Sequence, residues 1–386
     1  MSNAYSPLFN ALNLKGLSLR NRIVMAPMTR SFSGLEGVPG ADVAAYYRAR
    51  AEGGVGLIIT EGVVVNMSDA RGYGGVPGIT NSAQVDGWKG VVSAVHAEGG
   101  AIAPQLWHAG RLAHSRGTGG VQPVAPSAVQ ASGAYLDVAD PSTLTGEIPY
   151  ELPRAMTEAE IESSIQQYAD AAVRSQQAGF DAIELHGASG YLIHQFLNSE
   201  SNQRSDAFGG DVTRRAEFAV RIVKAIKAAV GTDMPVIMRL AQFAINDFEW
   251  ETWANPEELA ITVKCLVDAG VDLFHASSHR LNTPAFPKTE GAEGRSLAAY
   301  IKELSGCPTI AVGGVSYSAT VFESLGGGDC VVTDPIDAVE MVEAGDADLI
   351  AVGRALISNP DWCRKVEAGE WQSLNSFGRE ALMSLS

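Results

Sequence analysis

An eightfold alternation of short apolar runs with longer helical segments predicts an α/β fold, a (β/α)8 TIM barrel. Two observations carry that prediction. Most of the apolar runs are near-continuous rather than alternating, as strands buried on both faces of a parallel sheet require. Several helical segments stop at "AG" or "VG" just before the next run, a helix stop followed by a short loop into a strand. A doubly wound open sheet is the alternative, but the first run leads into "MAPMTR", which is not a Gly-rich dinucleotide turn.

In order, "RIVMAP" (22–27) leads to Pro27, Met28 and Thr29, and "VGLIITEG" (55–62) ends at Glu61 and Gly62. "AIAPQLWH" (101–108) carries Gln105, Trp107 and His108. The Gly-, Pro- and Ser-rich stretch 112–155 is too long for an ordinary loop and reads as an excursion capping the C-terminal mouth. A helix over 158–179 precedes "DAIELHG" (181–187), which holds Glu184 and His186 and runs into Tyr191. A helix over 214–231 precedes "PVIMRL" (235–240) with Arg239. A helix over 255–270 precedes "DLFHASS" (272–278) with His275, followed by His279 and Arg280. "PTIAVGG" (308–314) and "DLIAVGRAL" (348–356) bring Gly313, Gly314, Gly353 and Arg354. No linker interrupts the series, so 1–386 reads as a single domain.

Charge and cysteines narrow the function. With 28 Lys and Arg against 44 Asp and Glu, the net charge of −16 opposes phosphate backbones and anionic membranes, so neither nucleic acid nor membrane is an expected partner. The 4 cysteines form no CxxC pair and fit neither a disulfide framework nor a metal centre. No run approaches membrane-spanning length and "MSNAYSPLFN" lacks a signal pattern, so the reading is a soluble cytoplasmic protein, monomer or homodimer. In such barrels the C-terminal strand ends carry the chemistry. No lysine stands there for Schiff-base chemistry. Glu184 and His186 share a strand face, but an isolated pair makes no metal site, and none is read. Glycines after strands seven and eight, joined by Arg354, suit a phosphate.

These residues resemble the Old Yellow Enzyme family of FMN-dependent ene reductases. The resemblance runs from about residue 5 to about 365. It rests on "RIVMAPMTR", "YYRARAEGGVGLIITEG", "QLWHAGR", "GFDAIELHGASGYLIHQFLNSESNQRSDAFGG", "MRL", "AVGG" and "DLIAVGRALISNPDW", in the family's order. It implies FMN across the barrel mouth, with its phosphate at Gly313, Gly314, Gly353 and Arg354. Pro27, Met28 and Thr29 would meet the O4 edge, with Gly62 nearby, Gln105 on the pyrimidine edge and Arg239 near N1 and O2. NAD(P)H would reduce the flavin and leave, in a ping-pong cycle, and an α,β-unsaturated carbonyl compound would then enter. His186, also beside the flavin, would hold the carbonyl oxygen, and Tyr191 would protonate Cα.

One position departs from the family pattern. Ser189 stands where the family has Asn or His, the second carbonyl donor. Three consequences are open: a water bridging from Ser189, a bulkier acceptor, or poor reduction of simple enones. His194 stands where the family often has an acid and reads as a helix-surface or packing histidine. His108 and His275 read as satisfied interior histidines, Trp107 as pocket wall or as packing alone, and Met25, Met28 and Met238 as core or pocket filler. His279 and Arg280 read as substrate or nicotinamide contacts, or as solvated. Nitro or nitrate-ester reduction, redox-neutral isomerisation, and a flavin-free binding protein are the rival functions.

Overall fold

All eight apolar runs become strands of one closed, all-parallel barrel in a computed structural model of the chain, which describes residues 4–137, 141–143, 146–247, 249–325 and 328–385. They are β1 (Ile23–Met25), β2 (Leu57–Val64), β3 (Ala101–Trp107), β4 (Ile183–Ser189), β5 (Val236–Ala244), β6 (Leu273–Ser277), β7 (Thr309–Val312) and β8 (Leu349–Val352), neighbours in chain order. Parallel neighbours require crossover connections, and the main helices outside the barrel are α1 (Ala41–Glu52), α2 (Ser82–Ala97), α3 (Glu158–Ala178), α4 (Val212–Val230), α5 (Pro256–Ala269), α6 (Leu297–Ser305) and α7 (Ile336–Ala344).

Helix α3 shows how local sequence sets these elements. Thr157 Oγ1 accepts from Glu160 N at 3.3 Å, and Glu160 Oε2 accepts from Thr157 N at 2.8 Å, a reciprocal cap. Ile161, Ile165, Tyr168 and Ala172 form its buried stripe, and Gly179 ends it in the left-handed region at φ 91°. Removing such a cap costs about 1 kcal/mol.

The lower barrel interior is hydrocarbon. Val24, Leu57, Ile59, Ala103, Ile237, Leu273, Ile310 and Leu349 cluster with Leu17 and Leu19 of a short hairpin, Leu12–Leu14 paired with Leu17–Leu19. The sequence reading does not include that hairpin; its strands are too short to show a period.

Three differences bear on the site. The register of β2 on β3 slips between Ile59 and Gly62, and that of β4 on β5 between Gly187 and Ser189. Such irregularities re-aim side chains. The run "DLIAVGRAL" divides at Gly353, so that Arg354 opens a short helix, α8 (Arg354–Ser358), instead of ending a strand. Over 112–155 the chain forms a helical turn at Ser115–Thr118 and pairs Val124–Ala125 with Arg154–Ala155. It is tied to two loops at the C-terminal end. Asp137 Oδ2 accepts from Gly74 N at 2.8 Å, and Ser132 O accepts from Asn246 Nδ2 at 3.0 Å. Positions 138–140 and 144–145 of that stretch lie outside the described residues. No helix of the described residues is long and apolar enough to cross a membrane.

Candidate active site

Near their C-terminal ends the barrel strands change from hydrocarbon to polar. β3 contributes Gln105, β4 Glu184 and His186, β5 Arg239 and β6 His275. Register pairs Gln105 with Glu184 on one rung, and His186 with Arg239 and Arg239 with His275 on a rung two residues further along β4, so these side chains occupy successive rungs toward the C-terminal end of the barrel. Gln105 Nε2 donates to Glu184 Oε1 at 2.8 Å, and His275 Nδ1 meets Glu184 Oε2 at 2.7 Å. Arg239 Nη2 donates to Ser277 Oγ at 3.0 Å.

Among the described residues, three buried nitrogens in this layer have no protein partner: His186 Nδ1, Arg239 Nε and His275 Nε2. An unpartnered buried polar atom costs about 1–3 kcal/mol, which marks the layer as built for something besides stability. Burial, then the Arg239 charge, hold the His186 imidazole well below its usual pKa and therefore neutral. Burial also lowers Arg239, opposed first by Glu184.

The turn after β4 presents Tyr191. Ser189 and Gly190 are both left-handed, at φ 61° and 84°, an arrangement costly for serine. Three side chains secure it. Gly190 N donates to His194 Nδ1 at 2.8 Å, and the other ring nitrogen bonds Thr252 Oγ1, which donates to Ala241 O at 2.9 Å. Gln195 Nε2 donates to Gly190 O at 2.7 Å. Burial lowers the His194 pKa to about 3, so the ring accepts at Nδ1 as a neutral group. The expectation of a surface or packing histidine is thus corrected in part. His194 is buried, and it fixes the turn.

Tyr191 stands edge-on to His186, ring centroids 4.7 Å apart, and edge-on to Trp107 at 5.1 Å. Its hydroxyl shares a 2.8 Å hydrogen bond with that of Tyr73, whose ring stacks on Trp107 at 5.6 Å. Burial raises the Tyr191 hydroxyl above its usual pKa, so it stays protonated at neutral pH. Gly62 serves this cluster through packing, because a Cβ there would lie 2.9 Å from the Trp107 ring. Tyr73 is absent from the sequence-derived candidates. It sits in the loop "RGYGG" without periodicity, and its only signal is an aromatic flanked by glycines after strand two.

Thr29 is exposed on the loop after β1, and Pro27 and Met28 are half-buried beside it. Glu61 holds that loop from below: its Oε2 accepts from Arg30 N and Ser31 N, each at 2.9 Å. Burial raises the Glu61 carboxyl to about 7, against the lowering effect of those two backbone bonds. At the end of β7, a Cβ on Gly313 would come within 2.6 Å of the Arg280 backbone, and Gly314 is left-handed at φ 65°. Arg280 therefore lies along the glycine turn. Arg354 donates to Ala319 O at 2.6 Å and Thr320 O at 2.9 Å, spanning the loop after β7. Gly353 is open, a Cβ there meeting nothing nearer than Met28 Sδ at 3.6 Å. His108 accepts from Gly110 N at 3.0 Å.

This geometry can be set beside known proteins. A family model described as the NADH:flavin oxidoreductase / NADH oxidase family matches residues 7–372. The chain belongs to that family. Among the relatives of this chain, an NADH oxidase of Thermoanaerobacter brockii is 37% identical over 366 residues, 94% of this chain. The chain spans about half, 51%, of that relative's length. The 12-oxophytodienoate reductase 7 of Oryza sativa subsp. japonica is 34% identical over 92% of this chain and 86% of its own. An Old Yellow Enzyme homologue from Zymomonas mobilis superposes with a TM-score of 0.80 at 29% identity, covering 97% of this chain and 96% of that one. The resemblance to Old Yellow Enzymes and the barrel both hold.

Proposed function

We propose that this flavin oxidoreductase reduces C=C bonds conjugated to a carbonyl group, with FMN as cofactor and NADH or NADPH as reductant. The observation that carries the reading is the buried pair His186 and Tyr191, ring centroids 4.7 Å apart at the barrel mouth, one held neutral and the other held protonated by burial.

The residues present fit a flavin. Arg239 Nε is a buried N–H donor in want of a partner, and a planar heterocycle rich in N and O supplies such an acceptor. Thr29, with Pro27 and Met28, would meet one edge of the ring, Gln105 the pyrimidine edge, and Arg239 the side on which reduction builds negative charge. Gly313, Gly314, Gly353 and Arg354 would hold the phosphate, with Arg280 beside them. Bound there, FMN supplies hydride chemistry.

The protein's own contributions follow from its groups. His186, neutral, donates its single N–H to the substrate carbonyl oxygen and stabilises developing enolate charge. Tyr191 Oη gives the proton to Cα, and the Tyr73 hydroxyl at 2.8 Å donates to the phenolate as it forms. Ser189 offers one short hydroxyl in place of a rigid amide or imidazole, which leaves room for a bulkier acceptor. The ties at Asp137 and Ser132 support 112–155 as a border of the substrate chamber.

Anaerobic visible spectroscopy tests the reading. The flavin band is expected to bleach with NADH or NADPH and return with 2-cyclohexenone. A band that bleaches and is not restored by that or bulkier enones would reject the substrate class.

A further inference from the structure

Glu184 is fully buried in the barrel, and none of the chemistry above uses it. Burying a carboxylate is expensive unless its oxygens are satisfied. Both are: Oε1 accepts from Gln105 Nε2 at 2.8 Å, and Oε2 from His275 Nδ1 at 2.7 Å. These contacts decide two orientations. A carboxylate oxygen presents lone pairs, so Gln105 must turn its NH2 group toward Glu184, because the reverse would set carbonyl against carboxylate. The Gln105 carbonyl oxygen is then left for whatever lies on its other side. By the same logic the His275 proton sits on Nδ1. Burial keeps that imidazole neutral, so its Nε2 is bare, as its lack of a partner agrees.

We infer that Glu184, steadied by His275, is a positioning residue that fixes the Gln105 amide with its oxygen toward the flavin, so that the site selects a pyrimidine ring carrying an N–H donor. The inference rests on the reading that Gln105 faces the pyrimidine edge of FMN. Free amides turn over at little cost, and a Gln without a fixed partner accepts a donor or an acceptor equally. With Glu184 in place only one face is offered. FMN presents N3–H between two carbonyl groups, and N3 is the one donor on that edge. His275 acts at one remove, holding the second carboxylate oxygen so that the first stays on Gln105.

The test compares two ligands on three apoproteins by quenching of flavin fluorescence: FMN, and FMN methylated at N3, which lacks the donor. Wild type is expected to prefer FMN by about tenfold to a hundredfold, the range for leaving one buried acceptor unpaired. In Glu184→Gln the partner itself offers both a donor and an acceptor, Gln105 is free to turn, and the preference is expected to fall to a few-fold. His275→Phe, which fills the ring's volume but gives no hydrogen bond, is expected to lower it by a smaller factor, and it carries the test where Glu184→Gln does not fold. A purely structural role for Glu184 would weaken both ligands equally and leave the wild-type ratio intact, which would overturn the inference. No preference in wild type would instead overturn the placement of Gln105 at the pyrimidine edge, and the inference with it.

Discussion

The same barrel strands build two layers of opposite character. The lower layer, from Val24 and Leu57 round to Ile310 and Leu349, is hydrocarbon throughout. The upper one, toward the C-terminal ends of the strands, holds Gln105, Glu184, His186, Arg239 and His275, with three buried nitrogens left without partners among the described residues. Burial in the lower layer is favourable, at about 25 cal/mol per Å² of apolar surface. In the upper layer it is costly wherever a polar atom lacks a partner. The strands thus lose at one end stability that they gain at the other, and a substitution should act on activity or on folding according to its layer.

The sharpest separation is expected at Tyr191. Tyr191→Phe should lower enone reduction by roughly 10²–10⁴-fold, the usual worth of a general acid. Its denaturant midpoint and its flavin reduction by nicotinamide should change little. Steady-state rates with an enone, beside a rapid-mixing trace without one, check this; equal loss in both would deny Tyr191 the proton. In the lower layer Leu273→Ala should do the reverse, costing about 2–5 kcal/mol in urea unfolding with turnover at low temperature preserved. A variant as stable as wild type would mean that the lower layer is not where the fold is held.

Ser189 sits at the boundary of function and strain. Ser189→Asn places an amide donor beside His186 in a left-handed position that Asn tolerates better than Ser. Reduction of a small enone is expected to rise by up to about a hundredfold, the worth of one donor in such a site. An unchanged rate would show that a second donor already reaches the carbonyl from elsewhere.

The smallest effect is expected at Glu61, below the Thr29 loop. Its carboxyl titrates at about 7 in the folded chain against 4.5 in an unstructured one, so the folded chain binds the extra proton between those values. The stabilisation is complete below 4.5 and is lost as pH rises through about 7. Glu61→Gln, which keeps an oxygen for Arg30 N and Ser31 N, should flatten that decline in a series of melts from pH 4.5 to 8. A wild-type stability that rises over the same interval would contradict it.

Much of this is legible in the sequence because it depends on local pattern. Continuous apolar runs mark strands buried on both faces, and all eight appear in place. His186, Tyr191, Gln105 and Arg239 lie on or just after such runs, and the barrel brings His186 against Tyr191 and level with Arg239. What escapes depends on distant packing. Tyr73 gains its place from Trp107, which lies 34 positions later (107 − 73) and is admitted by Gly62 and Gly72. His194 is hard to place from sequence because its helix, Leu192–Leu197, is buried on every side and so shows no exposed face to reveal its environment. Arg280, whose sequence suits a substrate or nicotinamide contact or a solvated side chain, lies along the Gly313–Gly314 turn, where the loops after β6 and β7 approach too closely for any side chain but hydrogen at Gly313. The bond from Glu184 to His275 crosses between strands that are not neighbours, which no single-strand pattern encodes.

The central claim is that His186 and Tyr191 act together on a conjugated carbonyl compound. The most direct measurement is turnover of 2-cyclohexenone with NADH or NADPH in D2O, with the product examined by NMR. The account predicts consumption of nicotinamide and a solvent deuteron at Cα. Product formed with no deuterium at Cα, or isomerised without consuming nicotinamide, would contradict it.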